Sequence, residues 1–199
     1  MDDIWPEQSA GDEDKPVTLP HARTGRSLPL WREVLETLLS ALVAFALVRL
    51  IVQNFRIEGP SMEPNLYEGQ FLLVNKLAYR LGQVQRGDIV VFQYPHDPQR
   101  DFIKRVVGLP GEHIEIVRGQ VWINGQPLDE PYVLEKGDYS YPAITIEAGY
   151  VFVLGDNRNN SSDSHTWGSL PIRYIIGKPV LCYWPPRYWG LVHPGLLSH

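Results

Sequence analysis

Cysteine is nearly absent from this chain of 199 residues, which contains only Cys182. A single cysteine excludes an intrachain disulfide framework and any metal site built from several cysteines. Cys182 lies in an apolar, strand-like run with no histidine nearby in the sequence. A small buried hydrophobic residue is therefore a better interpretation of Cys182 than a catalytic thiol.

An excess of positive charge is also absent. The formal net charge is −5, and residues 53–199 contain 13 basic and 15 acidic residues. This composition provides no excess of positive charge that would attract a nucleic acid, so we do not expect a nucleic acid as partner. Residues 1–32 are acidic at their start, contain several prolines and have little apolar periodicity. Such a segment cannot bury a core, and we predict a disordered acidic tail.

Only one hydrophobic run is long enough to cross a membrane, and we assign it to residues 33–53. Its central nineteen residues, 34–52, contain four polar side chains and would span roughly 28 Å as a helix. A buried amphipathic helix is one alternative, but residues 41–48 are apolar on every side. A cleaved signal peptide is the other, but its A-x-A match lies in the middle of the run. An uncleaved signal anchor fits better.

Flanking charge predicts the orientation of this anchor. Arg23, Arg26 and Arg32 precede the span, whereas Arg56 follows it. Positive residues favour the cytoplasmic side, so we expect a cytoplasmic N-terminus in a single-pass protein of the cell membrane. Residues 54–199 would then form an extracytoplasmic domain beside the lipid bilayer.

Helical periodicity is missing after the anchor, except for one turn near residues 77–81. Short runs rich in branched and aromatic side chains recur instead between glycines and prolines, which predicts a mainly β domain. These predicted strands are residues 70–75, 88–93, 101–107, 112–117, 120–123, 150–154 and 175–184. Asn124 and Gly125 predict a hairpin turn of type I′.

Ser61 lies just after the anchor, in a segment that cannot easily be helical. Pro60 and Pro64 disfavour helical backbone at the residues that precede them. The segment therefore holds the Ser61 hydroxyl in a fixed shape, and a nucleophilic serine needs a group that takes its proton. No G-x-S-x-G motif surrounds Ser61, so the sequence gives no local support for a Ser-His-Asp triad.

Lys104 is the candidate for the proton acceptor. Strand alternation places it on the same face as Phe102 and Val106, whose apolar side chains would lower the pKa of the ammonium group. Arg105 cannot act as a base, because a guanidinium group does not deprotonate in proteins. From this strand alone, a lysine that reaches solvent is the more frequent interpretation.

Four segments together resemble the type I signal peptidases, a family of membrane-bound Ser-Lys endopeptidases. They follow the family's order after an N-terminal anchor, and the resemblance covers roughly residues 34–184. The segments are residues 59–64 (GPSMEP), 87–92 (GDIVVF), 104–112 (KRVVGLPGE) and 155–164 (GDNRNNSSDS).

The resemblance implies roles for single residues. It implies that Ser61 is the nucleophile and Lys104 the general base, and that the Ser161 hydroxyl orients the lysine. Asp163 matches a carboxylate that holds its loop together through an ion pair. These roles imply cleavage through an acyl-enzyme.

The resemblance also implies an antiparallel, barrel-like β-sheet domain of signal-peptidase type. Its substrates would be preproteins that carry signal peptides and emerge from the export machinery. The enzyme would cut them after small residues. By position, Ile57, Met62 and Ile103 match walls of the substrate pockets. No metal or organic cofactor is expected.

Three positions depart from the pattern of the family. Gly59 stands where some members place a serine hydroxyl that helps to stabilise the oxyanion. Asn65 stands where threonine is common, and we expect only a local hydroxyl contact to differ. His165 replaces an arginine that pairs with the aspartate, so a His165–Asp163 pair would take its place.

Two other functions compete with this interpretation. A self-cleaving Ser-Lys repressor would share the chemistry, but an apolar span stands where its DNA-binding domain would be. A membrane-tethered β domain that only binds exported polypeptides would leave Ser61 and Lys104 with ordinary surface chemistry.

Overall fold

The computed structural model describes residues 30–193. The predicted disordered tail lies outside the described residues except for residues 30–32, which are helical. The chain divides into two compact units, Met1–Ser40 and Ala41–His199, with a boundary inside the first helix.

Helix α1 (Leu30–Ile51) has 22 residues, none of them buried, and is long and apolar enough to cross a membrane. Its hydroxyl groups are satisfied within the helix, because Thr37 and Ser40 donate to the carbonyl groups of Glu33 and Glu36 (2.8 and 2.7 Å). This bonding lowers the cost of placing the two hydroxyls in lipid. The helix ends at Ile51 rather than at the expected residue 53, because the next residue begins a strand.

Residues 52–193 are mainly β, as the sequence predicts. The twelve strands of this part of the chain are β1 (Val52–Arg56), β2 (Phe71–Asn75), β3 (Ile89–Tyr94), β4 (Asp97–Gly108), β5 (His113–Val117), β6 (Gln120–Ile123), β7 (Gln126–Pro127), β8 (Tyr141–Thr145), β9 (Tyr150–Leu154), β10 (Leu170–Pro171), β11 (Ile175–Trp184) and β12 (Gly190–Leu191). Two short α-helices accompany them in this part of the chain, α2 (Ala78–Leu81) and α3 (Ser164–Trp167), together with three short 3-10 helices.

All strand pairs in this domain are antiparallel. The larger sheet has the order β1-β2-β11-β3-β4-β9-β10, and β12 adds to β11. The smaller sheet has the order β7-β6-β5-β8. The antiparallel β fold inferred from the sequence is therefore confirmed.

The hairpin between β6 and β7 is the predicted one. Asn124 and Gly125 both have positive φ angles, 50° and 78°, as a type I′ turn requires. The turn pairs Ile123 with Gln126. All seven predicted strands are present, with ends that differ by a few residues.

Strand β4 contributes to all three hydrophobic cores of the domain. Ile103 packs in the core beneath the β1–β2 region, Val106 in the core against β9 and β10, and Val107 in the core against the smaller sheet. Residues 103–108 are all buried. Because apolar packing surrounds this strand, the two charged side chains in its middle, Lys104 and Arg105, are held inside the protein.

Candidate active site

Ser61 lies in a tight turn between β1 and β2. The Glu63 N–H donates to Pro60 O (3.1 Å) and the Leu66 N–H donates to Met62 O (2.9 Å). Met62 and Leu66 are completely buried, which anchors the turn in the core. Ser61 itself remains partly exposed, so the turn presents its hydroxyl group at the surface.

The amino group of Lys104 lies next to the Ser61 hydroxyl. The distance from Lys104 Nζ to Ser61 Oγ is 2.7 Å, and Nζ also donates to Ile103 O (2.8 Å). Lys104 is only 4% exposed, and its Nζ lies 5.3 Å from the centre of the Phe102 ring. A lysine on a strand more often reaches solvent, but that interpretation is wrong for Lys104.

The environment of Lys104 changes its protonation. Burial lowers the pKa of the Lys104 ammonium group from 10.5 to about 8, because a charged group loses hydration inside the protein. The carboxylates of Asp163 and Asp156 act in the opposite direction and raise that pKa. A lysine with this pKa is neutral in a useful fraction of molecules near pH 8, and a neutral amine can accept a proton.

Arg105, the next residue on β4, forms a buried ion pair with Asp156. Its Nε and Nη2 donate to Asp156 Oδ1 and Oδ2 (2.8 and 2.6 Å), a bidentate geometry. Asn65 Nδ2 also donates to Asp156 Oδ2 (2.7 Å) and to Tyr132 O (2.8 Å). This cluster joins the turn of Ser61, the strand of Lys104 and the loop that follows β9.

A second buried ion pair supports the same loop. Arg158 pairs with Glu130, and neither side chain is exposed to solvent. The Tyr132 hydroxyl donates to Glu130 Oε1 (3.1 Å), and the Arg105 guanidinium lies 4.0 Å from the centre of the Tyr132 ring. The two ion pairs therefore form one continuous buried network behind the candidate site.

The loop after β9 also contacts the Ser61 turn through its backbone. The Asn157 N–H donates to Ser61 O (3.1 Å), and Asn157 Nδ2 donates to Pro60 O (3.2 Å). A Cβ atom at Gly155 would lie 2.5 Å from Ser61 O and 2.2 Å from Ser161 Oγ. Glycine at position 155 is thus required for this close approach.

Asp163 lies at the centre of several contacts within the loop, and its role there remains a prediction. Its Oδ2 accepts from the Gly155 N–H (2.9 Å), and its Oδ1 lies 2.6 Å from His165 Nδ1. Asp163 is fully buried and caps α3, where it also accepts from the His165 N–H (3.3 Å). The His165 ring stacks on Tyr139, with 4.2 Å between ring centres.

The structure does not contain the expected bond between Ser161 and Lys104. Ser161 Oγ is buried and has no hydrogen-bond partner within residues 30–193. The Lys104 ammonium group bonds to Ser61 and to the Ile103 carbonyl instead. A role of Ser161 in orienting the lysine remains a prediction.

A small cleft of about 170 Å³ opens beside Ser61 and Lys104. Phe55 and Ile103 supply apolar wall, and Ser162 and Asn160 supply polar wall. Of the predicted pocket residues, Ile103 lines this cleft, whereas Ile57 and Met62 lie in the core below it. The part of the chain that the structure describes contains no group of three or more residues suited to hold a metal ion.

Sequence reasoning missed the residues behind the site. Asn65 was expected to change only a hydroxyl contact, but its amide is buried and bonds to Asp156. Arg105 and Asp156 lie within segments that resemble the family, yet nothing in their spacing pairs them. One signal was available, because two adjacent cations in an otherwise apolar strand must both find partners if the strand is covered on both faces.

The sequence of this domain matches a known family of enzymes. Residues 31–184 match the family model described as signal peptidase, peptidase S26. The match covers more than half of the sequence, and the chain therefore belongs to the signal peptidase family. As a member of this family it is a serine endopeptidase.

Individual relatives agree with the family. The chain is 41% identical to a probable signal peptidase I-1 of Synechocystis sp. over 89% of this chain and 91% of that protein. It is 38% identical to a signal peptidase I of Leptolyngbya laminosa, over 83% and 85% of the two chains. A solved signal peptidase I from Enterococcus faecalis is 32% identical, with a TM-score of 0.44 over 49% of this chain and 97% of that one.

Removing Asp156 tests the buried network. We expect Asp156→Ala to lower the free energy of unfolding by about 3–5 kcal/mol, because Arg105 would keep an uncompensated buried charge. Chemical unfolding of the full chain in a mild detergent measures this change. Asp129→Ala, at an exposed position, serves as the control and should change the free energy by less than about 0.5 kcal/mol. Equal stability of the two variants would contradict the role of the network.

Proposed function

We propose that the chain removes N-terminal signal peptides from exported preproteins and that Ser61 and Lys104 perform the chemistry. One observation carries the assignment of residues, which is the 2.7 Å distance between the buried Lys104 Nζ and Ser61 Oγ. Membership of the signal peptidase family supports the substrate class.

Neutral Lys104 begins the reaction by accepting the Ser61 proton. Ser61 Oγ then attacks the carbonyl carbon of the peptide bond that follows the signal peptide. The developing negative charge on the carbonyl oxygen requires hydrogen-bond donors. The Ser61 N–H donates to no group within residues 30–193, so it is available for this role.

The tetrahedral intermediate breaks when protonated Lys104 gives its proton to the leaving amine. The mature protein departs, and the signal peptide remains bound to Ser61 as an ester. Lys104, neutral again, takes a proton from water, and the resulting hydroxide attacks the ester. Ser61 recovers its proton from Lys104, which returns the site to its initial state.

The cleft next to Ser61 would receive the side chain that precedes the cleaved bond. Phe55 and Ile103 give it an apolar wall that can contact a short apolar side chain such as that of alanine. Ile57 and Met62 would act from below, because they fill the core on which this wall rests. We expect small residues before the cleaved bond, as the resemblance to the family implies.

Membrane association accounts for the position of the site. The apolar helix α1 runs directly into β1, which leads to Ser61 after five residues. With the N-terminus in the cytoplasm, the domain would lie outside the cell membrane and meet preproteins as they leave the export machinery. Family membership favours this function over a self-cleaving repressor and over a domain that only binds polypeptides.

Alanine variants test the two catalytic assignments. We expect Ser61→Ala and Lys104→Ala each to lower the rate of preprotein cleavage by at least about 10³-fold, because residues of one catalytic unit fail together. The rate is measured on the full chain in detergent with a preprotein substrate. Ser169→Ala and Lys136→Ala, which lie outside the site, should keep the rate of the unmodified chain. Substantial activity in either variant of the pair would refute the mechanism.

The pH dependence of cleavage tests the state of Lys104. Since its pKa is lowered to about 8, kcat/KM should rise with pH through a midpoint near pH 8 and level off above about pH 9. Asp163 raises the pKa of Lys104, so Asp163→Asn should move this rise to lower pH. Profiles of both proteins between pH 6 and pH 10 measure the shift, with Asp129→Asn as the control. A midpoint that stays in place or moves upward in Asp163→Asn would contradict the assignment.

A further inference from the structure

A second cavity, separate from the catalytic cleft, opens at one end of the larger sheet. Its volume is about 540 Å³. Residues from the start of β1, from the segment between β2 and α2, and from the start of β11 line it. The mechanism proposed above does not use this cavity.

The wall of this cavity carries three positive side chains. Lys76, Arg80 and Arg173 line it, together with a single acidic residue, Asp101. Within residues 30–193, none of the three cations forms an ion pair or a side-chain hydrogen bond. The Arg173 guanidinium instead lies 5.3 Å from the centre of the Tyr174 ring. Three cations on the wall of one cavity favour an anion as the occupant.

The cavity also lies beside the end of the membrane helix. The Lys76 N–H donates to Ile51 O (2.9 Å), and Ile51 is the last residue of α1. Val52 pairs with Asn75 in the next register position, and Gln53 lines the cavity. If α1 crosses the bilayer, the three cations therefore lie at the level of the lipid headgroups.

The catalytic cleft is the neighbour of this cavity. Asp101 lines both of them, so a molecule in the cavity would lie one side chain away from the wall of the cleft. An occupant at this place would hold the cleft at the membrane surface, where a signal peptide leaves the bilayer.

We propose that this cavity binds the phosphate-bearing headgroup of an anionic membrane lipid. The phosphate would contact Lys76, Arg80 and Arg173, because guanidinium and ammonium groups bind phosphate oxygens. Gln53 provides an amide for hydroxyl groups of the headgroup. The inference rests on the membrane placement given under the proposed function, and the position next to Ile51 favours a lipid over a free phosphate ion.

Binding of a short-chain lipid tests this site in the full chain. Dihexanoyl phosphatidylglycerol is titrated into Ser61→Ala protein in a neutral detergent, and calorimetry measures the dissociation constant. We expect saturable binding that the double variant Arg80→Gln/Arg173→Gln weakens about 30-fold, at about 1 kcal/mol per cation. Asp101→Asn should tighten binding about 5-fold, because it removes the one negative charge of the wall.

Matched variants distinguish binding at this cavity from nonspecific electrostatic attraction to the protein. Arg118→Gln/Lys136→Gln removes the same charge from the region of the smaller sheet and should change the dissociation constant by less than about 2-fold. Arg80→Lys/Arg173→Lys keeps the charge and should retain most of the binding. Equal loss in both glutamine variants, or an absence of saturable binding, would overturn the proposal.

Two further ligands distinguish the source of the phosphate. Dihexanoyl phosphatidylcholine, which has no net charge, should bind much more weakly than the anionic lipid. Inorganic phosphate should also bind weakly, and equal affinity for inorganic phosphate would overturn the lipid assignment in favour of a free-anion site. The binding assays use the Ser61→Ala variant, so their results do not depend on cleavage activity. Each proposal can therefore fail without the other.

Discussion

The buried ion pair between Arg105 and Asp156 is the interaction on which the candidate site depends. Burial removes both charges from water, and the loss is offset only because the pair is bidentate and Asn65 supplies a further hydrogen bond. Each partner comes from a different segment, so these bonds hold the three segments together in the observed arrangement. That arrangement places Ser61 and Lys104 at hydrogen-bond distance.

Two adjacent residues of β4 have different roles, since Lys104 is the proposed catalytic base and Arg105 forms a structural ion pair. Lys104 and Arg105 point to opposite faces of a strand that is buried on both faces. The two buried cations are stabilised in different ways. Arg105 stays charged and is paired. Lys104 lacks a direct ion pair within residues 30–193, and burial lowers its pKa to about 8 while Asp163 and Asp156 limit the decrease. This balance leaves an amine that can exchange protons near neutral pH.

Much of the fold could be predicted from the sequence, because the long strands contain branched and aromatic residues between clear turns. Strands such as β10 and β12 have two residues each and exist only through pairing with β9 and β11, which no local pattern reveals. The resemblance to a family singles out Ser61 and Lys104, and the structure places their side chains next to each other. The partnership of Asn65 with Asp156 joins residues 91 positions apart, and only the folded chain brings them together.

The central claim is that Lys104 activates Ser61 as a nucleophile, and trapping of the acyl-enzyme tests it most directly. The full chain is mixed at pH 8 with an activated ester of a signal-peptide fragment, and mass spectrometry locates the acyl group. We expect one acyl group on Ser61 in the unmodified chain and labelling at least about 10³-fold slower in Lys104→Met, because the serine then has no base. Labelling of Ser61 at equal rates in both proteins, or acylation at another residue, would contradict the account.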